Sequence, residues 1–510
     1  MASRRDELNA YTFAKRRLIA QFVQPNPTGS EEGAPRPLRA VAPGAIVGVV
    51  ILAVFGAWGM FKPVAPKGWD TPNENVIIAS KSTTRYVVLK TGDKVQLHPV
   101  LNMSSAKLLL DPSKGKVINV DESALDDGRI PHGATLGIPY APDRLPDEKE
   151  AGGAKRWAVC ERPGEGGRAI QKAAFVLAQR EEGKTDGSER LTGGELLYVE
   201  GPGPEAQRYV VDAKGTAYPV EKDELLLRQL VGQGRAAQRV STAWLSTLHK
   251  GDAISFPTLP GQAGAAADVG GLPDGVGKVG MVLSATDGTR KQMYVVLKDR
   301  VAPVTDFTAK LLLNSRQLVD LGQAGQATPV SGGAFQPGQA FGQDKKWPSA
   351  EPVPVNEAGI GAGRRNTVCN VLRKVDGDNG ATTLSTWAGK DFPATLPTGS
   401  SSAYVTPGSG QLFRQFKGST TTTGFLFLVT DTGLRYAMQS NGDTATGDDA
   451  GIGSTGSAEE KQQREQEAQQ AQSRLGYKNV DPTPIPAEWS TFLPTGPRLS
   501  TGAARQPQGS

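Results

Sequence analysis

One uncharged run, Val41 to Phe61 (VAPGAIVGVVILAVFGAWGMF), constrains this chain more than any other feature. As a helix rising ~1.5 Å per residue it reaches ~31 Å, the depth of a bilayer's hydrocarbon core. Arg36 and Arg39 flank one end, and Lys62 and Lys67 the other. Trp58 stands near the outer boundary, where amphipathic aromatics collect. A cleaved signal peptide has a short basic start and an apolar run of only ~7–15 residues. The run is therefore read as a retained membrane anchor. Arg4, Arg5, Lys15, Arg16, Arg17, Arg36 and Arg39 all precede it. Positive-inside logic then places the N-terminus in the cytoplasm and everything after residue 62 outside. No second run of spanning length occurs, so the expectation is a single pass through the cell membrane. Gly44 and Gly48 form a GxxxG, which lets two helix backbones approach closely. Glycine is also simply common in membrane helices.

Ahead of the anchor, Ser3–Val23 reads as a helix, with Ser3 and Asp6 in capping-box spacing. Leu8, Tyr11, Leu18 and Phe22 recur at three- and four-residue steps, interrupted by Lys15, with Phe13 beside them. These five apolar residues are read as cytoplasmic partner contacts; an anionic inner leaflet is the competing destination. Pro25–Pro37 (PNPTGSEEGAPRP) is a polar, proline-rich linker.

The region after the anchor repeats itself, and a repeat changes the fold reading before any motif does. Tyr86–Lys90 and Tyr294–Lys298 both read YVVLK; Ala106–Leu110 and Ala309–Leu313 both read AKLLL. Between them lie Pro99-Val100 and Pro303-Val304. A weaker pair joins Tyr209–Val220 to Phe427–Met438, with Gly215 against Gly433 and Tyr218 against Tyr436. Four copies of one unit result: a β-rich run, a turn and a second short strand, with a Leu-rich helix after the first three. Tyr198-Val199 and Tyr404-Val405 are read as a further matching pair. Trp244, Leu248, Gly251 and Ser255 match Trp489, Leu493, Gly496 and Ser500 at one constant offset, lengthened by a Gly/Asp/Thr-rich insertion around Asn441–Gly456. The chain beyond the anchor thus reads as two halves, about 76–260 and 278–500, joined at the Gly/Ala-rich run Gly261–Gly277. Such halves suggest a pseudo-twofold, with the strands around Cys160 (AVC) and Cys369 (TVC) meeting near its axis. An extracytoplasmic compartment permits disulfides, so a Cys160–Cys369 bridge is expected; two buried free thiols are the alternative. Ser457–Arg474 reads as a polar helix leading to Leu475-Gly476-Tyr477, and Thr501–Ser510 as a disordered tail.

Composition narrows the chemistry. Gly and Pro number 62 and 36, which argues against a dense helical bundle, and a net charge of +5 is too dilute for a dedicated nucleic-acid binder. Three histidines and two cysteines leave little room for metal centres. The string nearest a phosphate loop, Ala178–Thr185 (AQREEGKT), lacks the first glycine and is filled with charges; Asp274–Gly280 (DGVGKVG) lacks the spacing. His98, His132 and His249 are scattered, and Asp126-Asp127 and Asp448-Asp449 sit in turn-like stretches. No catalytic, cofactor or metal residues are assigned, and the chain is read as not an enzyme.

SRRDELNAYTFAKRRLIAQFV at the start, the single anchor, Leu136–Pro146 (LGIPYAPDRLP), the two VC strands and LPTGPRLS at Leu493–Ser500 follow in an order that resembles the EccB family. That family is the single-pass membrane component of the actinobacterial type VII (ESX) secretion system. The family pattern usually has a small residue where Tyr140 stands. The resemblance implies an α+β, β-rich fold: one transmembrane helix, then an elongated extracytoplasmic body of four small repeats around a central disulfide-bearing β domain. It implies a structural core subunit working with EccC-type FtsK/SpoIIIE-like ATPase, EccD-type and EccE-type subunits, with the mycosin protease able to associate outside, and self-association through the body. Some members are described as ATPases, which this chain's lack of a phosphate loop does not support; a cell-wall-binding anchor is another reading, since the repeats resemble wall-binding modules. The resulting segmentation is 1–39 cytoplasmic helix and linker, 40–62 transmembrane helix, 76–145 repeat 1, 150–205 the first stretch of the central domain and 206–260 repeat 2. It continues with 278–345 repeat 3, 360–425 the second stretch of the central domain, 426–500 repeat 4 and 501–510 tail.

Overall fold

In a computed structural model, the chain is described over residues 3–23, 38–60, 65–164, 169–288, 290–359, 364–397, 402–438 and 458–508. It divides into Met1–Lys67 and Gly68–Ser510. The first unit holds α1 (Arg4–Val23) and α2 (Leu38–Met60). The expected linker at 25–37 and Lys62 lie outside the described residues, as does the insertion at 441–456.

The second unit contains five sheets among the described residues. Unit I comprises β1 (Asn75–Ala79), β2 (Arg85–Thr91), β3 (Lys94–Val100), α3 (Met103–Leu109) and β4 (Lys116–Val120). Its strands lie in the order β3-β2-β1-β4, an antiparallel meander whose helix returns the chain to a fourth strand parallel to the first. After α4 (Glu122–Leu125) and α5 (Glu148–Gly152) comes the hairpin β5 (Lys155–Pro163) and β6 (Ile170–Ala178). Unit II has β7 (Glu195–Glu200), β8 (Arg208–Asp212), β9 (Thr216–Pro219), α6 (Glu224–Val231) and β10 (Gln238–Arg239), then α7 (Thr242–Ser246) and β11 (His249–Lys250). Unit III has β12 (Val282–Asp287), β13 (Arg290–Val296), β14 (Val301–Val304), α8 (Asp306–Leu313) and β15 (Thr328–Pro329). β16 (Val353–Pro354) pairs back onto β7. A second hairpin, β17 (Thr367–Val375) and β18 (Thr382–Gly389), is followed by β19 (Ala403–Val405). Unit IV has β20 (Gly410–Phe416), β21 (Phe425–Thr430), β22 (Arg435–Ala437), α9 (Ala458–Leu475) and β23 (Thr483–Pro486), then α10 (Ala487–Ser490); α11 (Thr501–Ala504) ends the chain. Units II, III and IV carry the same third-second-first-fourth strand order as unit I.

Local chemistry enforces this unit. Short strands of Val, Tyr, Leu and Phe send successive side chains to opposite faces, and in unit II both faces are buried, Leu196, Tyr198 and Val210 in one core and Leu197, Val199 and Val211 in another. The turn before the third strand needs a positive φ in three units, at Gly92 (60°), Gly215 (76°) and Gly433 (80°), where glycine avoids a Cβ clash. The crossover helices start on side-chain caps: Asn102 accepts from Ser105 N–H, Asp223 from Leu225 and Leu226 N–H, and Thr305 from Thr308 N–H.

Each unit closes the same way. A returning segment brings a glycine N–H to the third strand: Gly133 donates to Leu97 O, Gly251 to Ala217 O, Gly338 to Val301 O and Gly496 to Arg435 O, at 2.8–2.9 Å. Three residues on, Leu136, Ile254, Phe341 and Leu499 donate to the carbonyl two residues further along that strand, at Pro99, Pro219, Pro303 and Ala437. A Cβ on Gly251 would enter the Tyr218 ring, and one on Gly496 the Tyr436 ring. Gly251→Ala and Gly496→Ala should each destabilise the protein by about 1–3 kcal/mol, the usual scale of overpacking. Denaturant titration reads this, and an unchanged midpoint would contradict the close packing.

The two hairpins form one central sheet in the order β18-β17-β5-β6-β19. One face, with Trp157, Val159, Val368 and Leu372, packs against both unit II (Leu197, Val199, Trp244) and unit IV (Phe413, Phe427, Trp489). The opposite face holds Cys160, Cys369, Phe175 and Trp387 beneath Phe392, Ala394 and Leu396. Unit II shares a core with unit III through Leu226 and Leu230 of α6 and Phe307 and Leu311 of α8. Unit I shares one with unit IV, where Ala106, Leu108 and Leu109 of α3 meet Ala468, Ala471 and Leu475 of α9.

Three expectations need correction. Residues 195–200 and 410–416 are the first strands of units II and IV, because they pair within those sheets rather than in the central one. Tyr404-Val405 therefore is not the counterpart of Tyr198-Val199: it lies on β19, parallel to β6 of the central sheet. The joint at 261–277 does lie between units II and III and is ordered, with Ala267 N–H bonded to Gly277 O and Val269, Leu272 and Val276 packed on unit III. The tail is not disordered over 501–508: Ala504 is fully buried, and Gln508 bonds Thr135 O and Gly137 O of unit I. Backbone pairing holds it, and composition gives no sign of that.

Candidate functional site

Three places bear on what the chain does. The first is the N-terminal helix pair. Ser3 Oγ accepts from Arg5 N–H at 3.1 Å and Asp6 accepts from Ser3 N–H at 3.2 Å, a reciprocal cap at a helix end that Asp6 and Glu7 also favour by charge. All five residues read as partner contacts, Leu8, Tyr11, Phe13, Leu18 and Phe22, are exposed, Phe22 by 92%. Leaving such side chains in water is unfavourable by about 25 cal/mol per Å²; at about 100° per residue Leu8, Tyr11, Leu18 and Phe22 share one face to be covered, and Phe13 stands on the opposite side. In α2 the stretch Val41–Gly59 is long and apolar enough to cross a membrane. No atom lies within 4 Å of where a Cβ would stand on Gly44 or Gly48, so both present bare backbone.

The second place is the centre of the central sheet. Cys160 and Cys369 are directly opposed on antiparallel β5 and β17, bonded to each other and fully buried. The next residue, Glu161, points to the other face and is fully buried too. Its oxygens accept from the N–H and hydroxyl of Ser241, the cap of α7, and Lys172 Nζ lies 3.8 Å away. This pair ties unit II to the sheet. Burial raises the Glu161 carboxyl above its ordinary value of 4.5, against the opposing pull of Ser241 and Lys172. The folded state then holds this proton more tightly than the unfolded chain does. Its contribution is therefore a loss of stability as pH rises from about 4.5 through the folded-state value. Glu161→Gln should raise the urea midpoint at pH 7 relative to that at pH 4, compared with the parent; the same pH 4 to pH 7 change in both proteins would refute this role.

The third is the set of segments with a superficial likeness to catalytic motifs. Residues 179–185 form a 3-10 helix in which Lys184 pairs with Glu181 at 2.6 Å and lies over the Tyr404 ring. Glu181 also receives the hydroxyls of Tyr404 and Thr406. The lysine is thus committed to a strut, where a phosphate loop would hold it free for a nucleotide. His98 and His132 stand on neighbouring segments of unit I but bond different groups, Ala134 O for the first and Leu125 O and Asp126 for the second, and His249 bonds Thr382 elsewhere. Among the described residues no three His, Cys, Asp or Glu side chains cluster to hold a metal. Sequence reasoning missed Glu161–Ser241 and the anchoring of Arg373 on Asp186 at 2.7 Å, since neither carries a local spacing signal.

Comparison with known proteins gives consistent results. The family described as "Type VII secretion system ESX-1, transport TM domain B", EccB, matches residues 1–509. The "ESX-3 secretion system ATPase EccB3" of Mycolicibacterium smegmatis is 27% identical over 545 aligned positions, covering 98% of this chain and 90% of that protein. The "ESX-1 secretion system ATPase EccB1" of Mycobacterium tuberculosis is 27% identical over 312, covering 60% of each. Among solved structures, a chain of the intact ESX-5 inner membrane complex matches with a TM-score of 0.55 at 19% identity, over 100% of this chain and 96% of its own. The EccB3 dimer from the ESX-3 core complex matches with 0.53 at 24%, over 84% and 99%.

Proposed function

The chain belongs to the EccB family of type VII (ESX) secretion components, and from that premise we propose how it works as a structural core subunit of the secretion membrane complex. The carrying observation is the family match along residues 1–509, joined to a fold shared with chains of ESX inner membrane assemblies. In this reading α2 crosses the cell membrane once, with α1 in the cytoplasm, as the basic residues before it favour. Everything from Gly68 stands outside. The exposed apolar face of α1 and the bare Gly44/Gly48 surface meet the helices of EccC-, EccD- and EccE-type subunits. The body self-associates, as a solved relative described as a dimer suggests. Units I to IV are four copies of one ancestral fold, set about the central sheet with a pseudo-twofold between Cys160 and Cys369; their common strand order supports this.

Blue-native electrophoresis of a detergent extract tests the assembly. The chain should migrate in a large complex with an EccC-type ATPase, and migration only as a free monomer would sink the proposal. Gly44→Ile with Gly48→Ile should lower the recovered complex several-fold without lowering chain abundance. The names of relatives include ATPase, which favours a second reading as a nucleotide hydrolase. Nucleotide turnover by the purified full chain above a mock preparation would support that reading over a purely structural role.

A further inference from the structure

We propose that a cleft between the central sheet and unit II binds a phosphate-bearing small molecule. The cleft, of about 490 Å³, is lined by Ile170 and Lys172 of β6, Pro202, Arg239 of β10, and Ser241 and Thr242 at the start of α7. That volume is in the range of small-ligand sites, which favour such junctions between substructures. Two cations face it. Lys172 is about half exposed, and its nearest carboxylate is Glu161, 3.8 Å away. Arg239 is exposed, and its neighbour across the strand pair is Glu200, with no ion pair to Arg239 among the described residues. Glu161 does not cancel the pair of cations: both its oxygens are occupied by Ser241, and burial favours its neutral form. The exposed Thr242 adds a hydroxyl, and Ile170 and Pro202 supply an apolar wall for the rest of a molecule. A guanidinium and an ammonium beside the Thr242 hydroxyl suit a phosphate's several oxygens.

The other half of the body serves as an internal control. Cys160 stands opposite Ala173 and Cys369 opposite Trp387, so Lys172 corresponds to Thr386, and Glu161 to Asn370. The Trp244/Trp489 spacing sets Pro484, Pro486 and Ala487 against Arg239, Ser241 and Thr242. Unit IV therefore docks on the same sheet face with no ionisable group at any of these five places. Docking does not require the charges, and in the first half they are left to serve a ligand.

Isothermal titration of the full-length chain in detergent micelles with inorganic pyrophosphate tests this, with citrate as the carboxylate comparison. One saturable site should be seen that weakens at least tenfold in the Lys172→Ala/Arg239→Ala double variant and not in Lys417→Ala. A melting temperature matching the parent's shows that the double variant is folded; if it is not, Arg239→Ala alone, at an exposed position, should still weaken binding. Absence of saturable heat, equal affinity in the folded variants, or citrate binding as tightly as pyrophosphate would overturn the proposal. Migration in the secretion complex is scored without ligand, so failure here leaves the assembly reading intact.

Discussion

Replacing Cys160 and Cys369 together by alanine should lower the stability of the body by up to about 5 kcal/mol, read from guanidine unfolding of the full chain in detergent. The link closes a loop with a sequence separation of 209, and chain entropy grows with the logarithm of that number. The loop holds the first hairpin's return strand and all of units II and III, so the bond spans two of the four units. The strands it joins come from opposite halves and have no short turn to fix their register. Without the link, each half must find the other at the full cost of loop closure. Removing a single cysteine should cost about as much, because the bond needs both. A double variant within about 1 kcal/mol of the parent would mean that the sheet and its packing alone fix the halves.

Trp244→Ala and Trp489→Ala should each cost about 3–5 kcal/mol, the range for truncating a buried tryptophan. Both side chains are among the largest that are fully buried, and both press on the same face of the central sheet. They are not equivalent. The Trp244 indole also donates to Val159 O at 3.1 Å, within β5 itself. Trp244→Phe should thus lose up to about 1 kcal/mol beyond its packing loss, from the broken hydrogen bond to a carbonyl that keeps its place in the sheet ladder opposite Asn370. Trp489→Phe should lose packing alone. Equal losses for the two phenylalanine variants would show that the Val159 bond contributes nothing net.

Much of this fold was legible in the sequence where side chains repeat. YVVLK and AKLLL mark β2, α3, β13 and α8, and the Trp-to-Gly spacing marks the closures of units II and IV. The closures of units I and III escaped notice because Gly133–Leu136 and Gly338–Phe341 share only a glycine and one apolar residue with the others. Their common feature is backbone hydrogen bonding, and backbone pairing leaves little sequence trace. The fourth strands of units II and III are two residues long, too short for any period to register. The exposed stripe of α1 and the cysteine pairing could be read from spacing and compartment. Glu161 could not, because its partner Ser241 lies 80 positions away and both residues are ordinary in isolation.

The shared core of units I and IV bears on the order in which the protein can be made. Val76, Val87 and Leu108, close behind the membrane span, are buried with Leu428, Leu475 and Ala504 near the far terminus. Synthesis delivers the first group long before the second, so unit I waits with an uncovered apolar helix until almost the whole polypeptide has been made. Maturation is therefore all-or-nothing: a chain cut short at its end leaves its beginning unfinished.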